Sequence, residues 1–338
     1  MPKAPTVYDV AARAKVSIAT VSRVLRTPHA VTAATAERVQ AAVKELGYVP
    51  SANARGLAAR RTNVIGLFFP GHDDLEVAPP ASSTEVPVGT EEPPENENLY
   101  FDEVLRGAEV EAWRHGFALM VTAGRGERRD ELLTDLAGRV DGLAILAGSV
   151  ADDVLAQVAR RIPVVVLASA HTDDGFDHVR ANNAPGMRAI TEHVLAKNPA
   201  RVLYVAGPED SPDDAERFAG FSSVMGERAF DLARGDFTRA SGRAVAIDHD
   251  AVICANDQMA LGVLDTLERT GRSDVLVTGF DGIGAGRHSR PTLTTVYQPM
   301  VELGRAAINA ITRRLENPDL APQNHTLPVR VILRESCP

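Results

Sequence analysis

Thr6-Val7-Tyr8-Asp9-Val10-Ala11, followed by Val16-Ser17-Ile18-Ala19-Thr20-Val21-Ser22-Arg23-Val24-Leu25, is the stretch that decides how the chain begins. Thr6 can cap a first helix that places Val7, Val10, Ala11 and Ala14 on one face. Ser17 can cap a second, Ile18 to Leu25, with Val21, Val24 and Leu25 turned inward. The link Ala14-Lys15-Val16 has room only for a tight turn. Thr32 can cap a third helix with an apolar stripe of Val39, Ala42, Val43 and Leu46, and Gly47 fits its stop. Two short helices around a tight turn, buttressed by a third, predict a helix-turn-helix.

That geometry assigns roles. The second helix would lie in a DNA major groove with its first residues nearest the bases. Ile18 and Ala19 can touch thymine methyls but cannot make the paired bonds that read guanine or adenine. Arg23 can reach a phosphate or a base edge. Ser17, Thr20 and Ser22, Thr6 at the first helix start, and the Tyr8 hydroxyl suit phosphates. The plainer alternative makes Ile18 core and Arg23 an ordinary surface charge.

Charge supports the first reading. The 338 residues carry a formal net charge of −9, unpromising for a polyanion partner. Residues 1–61, however, hold ten Lys/Arg and three acids, a segment of +7, so the remainder carries −16. A small basic head on a large acidic body would meet DNA through the head alone. The length allows two or three domains, and 44% hydrophobic with 24% charged residues is ordinary for a globular chain. Two cysteines, Cys254 and Cys337, exclude a disulfide scaffold or a Cys-based zinc site and fit a reducing cytoplasm. No apolar run reaches membrane-spanning length, and the first residues lack a signal-peptide core.

With Leu46-Gly47-Tyr48-Val49-Pro50 added, the head resembles the headpiece of the lactose-repressor/galactose-repressor family. The resemblance implies a cytoplasmic, homodimeric, sequence-specific DNA-binding regulator, by default a repressor, on a near-palindromic operator. It assigns residues 1–50 to the headpiece and 51–61 to a hinge in which Asn53, Arg55 and Leu57 meet DNA. Leu57 matches the leucine that wedges into the central minor-groove step. A plain linker is the alternative.

From residue 62 the pattern changes to an α/β body. Short apolar strands are predicted at Val64–Phe69, Ala118–Thr122, Gly142–Leu146, Val164–Leu167, Val202–Ala206, Val252–Ala255 and Val275–Thr278. Amphipathic helices near 100–115, 129–138, 151–160, 184–196, 213–226, 256–270 and 299–316 separate them. Repeated β-α units make a doubly wound sheet that binds ligands at the carboxyl ends of its strands. The resemblance implies a two-lobed, periplasmic-binding-protein-like body, lobe 1 near 62–182 and 299–322, lobe 2 near 183–298 and 323–338. Between them it places a small-molecule effector, a sugar or related polyol. It carries effector contacts onto Tyr100, Phe101, Arg217, Phe237, Asn256 and Asp281. That set suits a polyol: a carboxylate accepts, Arg donates, Asn does both, and an aromatic face covers a sugar ring. The alternative for Arg217 and Asp281 is a structural ion pair bridging the lobes; for Phe101 and Phe237 it is simple core.

The sequence departs from the family in three places. Leu167-Ala168-Ser169-Ala170-His171 lacks the usual carboxylate, and Asn182-Asn183 stands where Asp-Asn is common. Gly220–Gly235 and Gly242–Ala255 are short. Residues 72–98 form an insertion with eight acids, five prolines and no Lys or Arg, a composition that predicts disorder. An enzyme is disfavoured: there is no P-loop or H-E-x-x-H, Gly220–Val224 fails G-x-S-x-G, and Gly282–Gly286 lacks dinucleotide spacing. No cofactor or metal is expected. The other rival is a DNA-binding regulator whose sensor is vestigial or answers to a protein partner.

Overall fold

The computed structural model describes residues 5–49, 61–70, 99–124, 126–169 and 174–338. They divide into two compact units between Thr62 and Asn63. The expected hinge contacts Asn53, Arg55 and Leu57, and the acidic stretch 72–98, lie outside the described residues.

The first unit is the expected trihelical head: α1 (Val7–Ala14), α2 (Ile18–Arg26) and α3 (Ala33–Leu46). Thr6 starts α1 through Asp9, whose carboxylate accepts from the Thr6 backbone N–H at 2.8 Å and from its hydroxyl at 2.7 Å. Ser17 Oγ accepts from the Thr20 N–H at 3.2 Å and so caps α2. Lys15 takes the left-handed conformation (φ 55°) that ends α1 and makes the turn tight. Val10, Ala11, Ala14, Val21, Val24, Val39 and Ala42 are buried together, drawn from all three helices as the apolar spacing requires.

The second unit is the α/β body. Its first lobe contains β1 (Val64–Pro70), α4 (Leu99–Arg114), β2 (Ala118–Gly124), α5 (Arg129–Ala137), β3 (Gly142–Leu146), α6 (Asp152–Ala159), β4 (Val164–Leu167) and β5 (Asp177–Ala181). The second contains α7 (Asn183–Leu195), β6 (Val202–Ala206), α8 (Pro212–Met225), β7 (Asp231–Arg234), α9 (Arg239–Arg243), β8 (Ala251–Cys254), α10 (Asp257–Thr270), β9 (Leu276–Asp281) and β10 (Thr294–Tyr297). The chain then returns as α11 (Met300–Glu316) and β11 (Asn324–Leu327) and crosses once more into β12 (Arg330–Ile332). The sheets run β11-β5-β4-β3-β1-β2 and β12-β10-β9-β8-β6-β7. All pairings are parallel except β12 against β10. Without its last strand, each sheet has the doubly wound order 2-1-3-4-5, so the body is one design used twice, with a sixth strand exchanged through the C-terminal segment.

One expected boundary moves. Residues 323–327 were assigned to lobe 2, yet Asn324–Leu327 pair in parallel with His178–Ala181 and complete the first sheet. The last crossing therefore follows Leu327. Three of these four residues are polar and none is buried, so the segment carries no strand signal of its own. The edge strand β7, the polar β5 and the short β10 and β12 likewise lack a long apolar run.

Helices α4 and α11 pack close enough to exclude side chains. A Cβ on Gly107 would sit 1.9 Å from the Val301 carbonyl oxygen, and one on Gly304 would sit 2.0 Å from that of Val104. This contact clamps the returning α11 onto lobe 1.

Candidate functional site

The two units each present a candidate surface. On the head, α2 turns Val21 and Val24 inward, so Ile18, Ala19 and Arg23 face outward by helical period. Ile18 is 40% exposed, which removes the core alternative for it. Tyr8 and Ser17 are also exposed, while Thr6, Thr20 and Ser22 are half-buried. The Ser17 and Thr20 hydroxyls lie 2.9 Å apart, and the Thr6 hydroxyl is committed to Asp9. Arg23 has no ion pair among the described residues, whereas Arg13 is held by Glu45 at 2.7 Å.

On the body, a cavity of about 330 Å³ lies where carboxyl ends of strands from both sheets meet. Pro70 ends β1, Leu146–Ser149 follow β3, and Ala168 follows β4. From the other lobe, Pro208–Asp213 follow β6, Asp236–Thr238 follow β7, Asn256 and Gln258 follow β8, and Asp281 and Ile283 end β9. The cavity thus occupies the point in each sheet where strand order reverses, between β1 and β3 and between β6 and β8. All six expected effector residues, Tyr100, Phe101, Arg217, Phe237, Asn256 and Asp281, line it.

The lobes contribute different chemistry. Lobe 1 supplies an apolar wall in which the Phe101 ring lies 4.8 Å from Phe69 and 5.3 Å, edge-on, from Tyr100. Burial, reinforced by the charge of Asp213, keeps the Tyr100 phenol protonated. Lobe 2 supplies the ionic floor. Arg217, only 3% exposed on α8, donates from Nε to Asn183 Oδ1 at 3.0 Å and from Nη1 to the Ala255 carbonyl at 2.8 Å. Its guanidinium lies over the Phe280 ring at 4.0 Å, 3.5 Å from Asp281 and 3.9 Å from Asp213. The Arg217–Asp281 pair, for which a lobe-bridging role was the alternative, lies wholly within lobe 2, because α8 and β9 are both elements of that lobe.

Asp281 has an unusual backbone (φ 120°) and accepts from Gln298 Nε2 at 2.6 Å. Burial pushes its carboxyl up to about 7, with Arg217 and Gln298 pulling down and Asp213 adding to the rise. Asn256 is largely spoken for: its Oδ1 caps α10 by accepting from the Met259 N–H at 2.9 Å, and its Nδ2 donates to the Phe237 carbonyl at 2.9 Å. Its first task is thus to hold Phe237, a left-handed residue (φ 70°), at the cavity edge. Beneath, the buried Asp257 carboxylate accepts from the N–H groups of Gly282 and Ile283 at 2.8 and 2.9 Å and fixes the turn that carries Asp281.

Sequence reasoning missed three polar residues. Asp213 precedes Arg217 by one helical turn, a spacing that was legible. Asn183, noted above only as a departure, is 1% exposed and joins Asp213 (2.7 Å), Glu216 (3.1 Å) and Arg217. Ser149, after β3, is 5% exposed and its hydroxyl has no hydrogen-bond partner. Nothing in its local sequence marked it.

Comparison with known proteins follows the same division. Residues 6–51 match the family model for bacterial regulatory proteins of the lacI family, and residues 191–337 match a periplasmic binding protein-like domain. The chain is 30% identical over 353 residues to the HTH-type transcriptional regulator CelR of Thermobifida fusca, covering 98% of both chains. It is similar to the solved complex of the transcriptional regulator CelR with cellobiose (30% identity, TM-score 0.68, 98% of this chain and 99% of that one). It is also similar to the lac repressor dimer bound to operator and the anti-inducer ONPF (25% identity, TM-score 0.81, 99% of each chain).

Proposed function

The chain belongs to the lacI family of bacterial regulatory proteins, and on that premise we propose that it is a homodimeric transcriptional repressor whose hold on a near-palindromic operator is set by a sugar or related polyol in the body cleft. The observation that carries the effector half is the cavity at both switch points, with Arg217, Asp281 and Asn256 facing the aromatic wall of Tyr100 and Phe101. A volume of about 330 Å³ stands at the lower end of the ~300–1,000 Å³ usual for ligand pockets and suits a monosaccharide. So well formed a pocket speaks against a vestigial sensor. CelR, one of the relatives, holds cellobiose.

The DNA half rests on α2. Ile18 and Ala19 would press on thymine methyls, Arg23 on a phosphate or base edge, and Tyr8, Ser17, Thr20 and Ser22 on the backbone, with Thr6 acting through its helix-start N–H groups. Asn53, Arg55 and Leu57 are assigned to the central minor groove by the resemblance alone. Two copies related by a twofold axis would read the two half-sites. In the body, α4 and the edge strand β2 leave Val110, Trp113 and Val121 exposed, Trp113 by 74%, an apolar surface suited to the second subunit. An effector that binds the closed and open cleft with different affinity shifts DNA binding by that difference and no more.

Genome-wide footprinting followed by gel shifts tests this. One recurring palindromic site, bound at least 10³-fold more tightly than random duplex and responsive to one sugar, is expected. Equal affinity for all duplexes at moderate salt, with every compound supplied, refutes it.

A further inference from the structure

Resting on the cleft reading above, the structure points further, to the charge of the effector. Two carboxylates at the cavity floor, Asp213 and Asp281, converge on one guanidinium, that of Arg217. The stronger hydrogen bonds of Arg217 go elsewhere, to Asn183 Oδ1 and the Ala255 carbonyl. Its approach to Asp213 is 3.9 Å, too long for a hydrogen bond. Asp213 Oδ1 accepts from Asn183 at 2.7 Å, which leaves its second oxygen with only that distant contact. The buried floor thus sets two carboxyl groups against the one guanidinium that lines the cavity. Asp210 and Asp236, at the exposed rim, carry the same sign, and Arg217 is the single basic residue among the described residues lining the cavity. Among the described residues the facing wall offers no cation: Pro70, Tyr100, Phe101, Leu146 and Ala168 are uncharged, and Ser149 adds a buried hydroxyl with no hydrogen-bond partner.

We infer that the effector is a sugar or polyol bearing one protonated amine, seated against Asp213 and Asp281, and that phosphorylated or carboxylated sugars are rejected. A buried, unbalanced carboxylate is costly, and burial accordingly raises both acids toward the neutral form. An ammonium relieves that cost directly. Its N–H donors suit the free Asp213 oxygen and the Asp281 carboxylate, and Ser149 Oγ on the same cavity lining is an acceptor for another donor of the ligand. A phosphate would bring two more negative charges to a floor whose one guanidinium is already engaged. The specificity residue is Asp213.

The test uses the full-length protein and isothermal calorimetry at pH 7.5. Glucosamine, galactosamine and mannosamine are compared with the parent hexoses, the N-acetylated hexosamines and the 6-phosphates. At least one hexosamine is expected to bind ten times or more tightly than its parent hexose, with N-acetylation removing the gain and no phosphate binding. Asp213→Asn, which keeps the size of the side chain, is expected to bring the ratio of hexosamine to hexose affinity down to about one; Ser149→Ala is expected to reduce that ratio. Thermal melting confirms that each variant is folded. A neutral hexose that binds as tightly as its amine overturns the inference and leaves the cleft reading intact, and a preference retained in Asp213→Asn overturns it equally. No binding by any compound overturns the cleft reading and this inference together.

Discussion

Raising the pH should tighten effector binding while it weakens the empty body. The group responsible is Asp281, raised by burial to about 7. A ligand hydroxyl that donates to this carboxylate needs it ionised, and a neutral hexose is the ligand to titrate, because an amine would lose its own proton over the same range. With that value, about one molecule in eleven is ionised at pH 6 and about ten in eleven at pH 8, so affinity should rise about tenfold, ~1.4 kcal/mol, across that window. Stability moves the other way. In the unfolded chain an aspartate ionises near ~3.9, below the folded value, so the folded state holds the proton more tightly. The resulting penalty on the fold is absent below pH ~4 and grows as pH rises toward ~7, where it is complete. Calorimetric titration from pH 6 to 8 measures the first effect. Thermal melts of wild type against Asp281→Asn from pH 4 to 8 measure the second, with the wild type losing ground to the variant as pH rises. An affinity that varies less than twofold from pH 6 to 8 in folded wild-type protein refutes the role given to Asp281.

Four further perturbations follow from the same structure. Arg217→Met strips the counter-ion from Asp213 and Asp281 and should cost about 3–5 kcal/mol at pH 8, visibly less at pH 5 where both acids can take a proton, as melts at the two values will show. Gly304→Val places a side chain where the Val104 carbonyl oxygen already lies 2.0 Å from a bare Cβ, so α4 and α11 must separate at a cost of about 3 kcal/mol, measured by urea unfolding. Arg23→Ala should weaken operator binding by about 1–3 kcal/mol if Arg23 reads a base edge. It should instead weaken all duplexes alike, with a salt slope lower by about 0.9, if it binds phosphate. Trp113→Asp should convert a dimer to a monomer in sedimentation without loss of helical content.

The head was legible because its information is local. Thr6, Ser17 and Gly47 punctuate helices of two to four turns, and the spacing of Val10, Ala14, Val21, Val24 and Val39 specifies which faces meet. Outward-facing Ile18, Ala19 and Arg23 follow from that periodicity without any long-range contact. In the body, the seven apolar strands were readable because strands covered on both faces are continuous hydrophobic runs.

The apolar strand runs marked an α/β body, and the family resemblance implied its two lobes and pointed to six residues that the structure brings to one cavity. What only the folded body decided is how those residues divide the work. Asn256 spends its amide on holding Phe237, the Arg217–Asp281 pair lies within one lobe, and Asn183, Asp213 and Ser149 join the site from three separate segments. Polar β11 became a lobe 1 strand only by lying beside β5. Hydrogen-bond partnership and the loss of water around a charge depend on neighbours distant in the chain, and residue spacing carries no record of them.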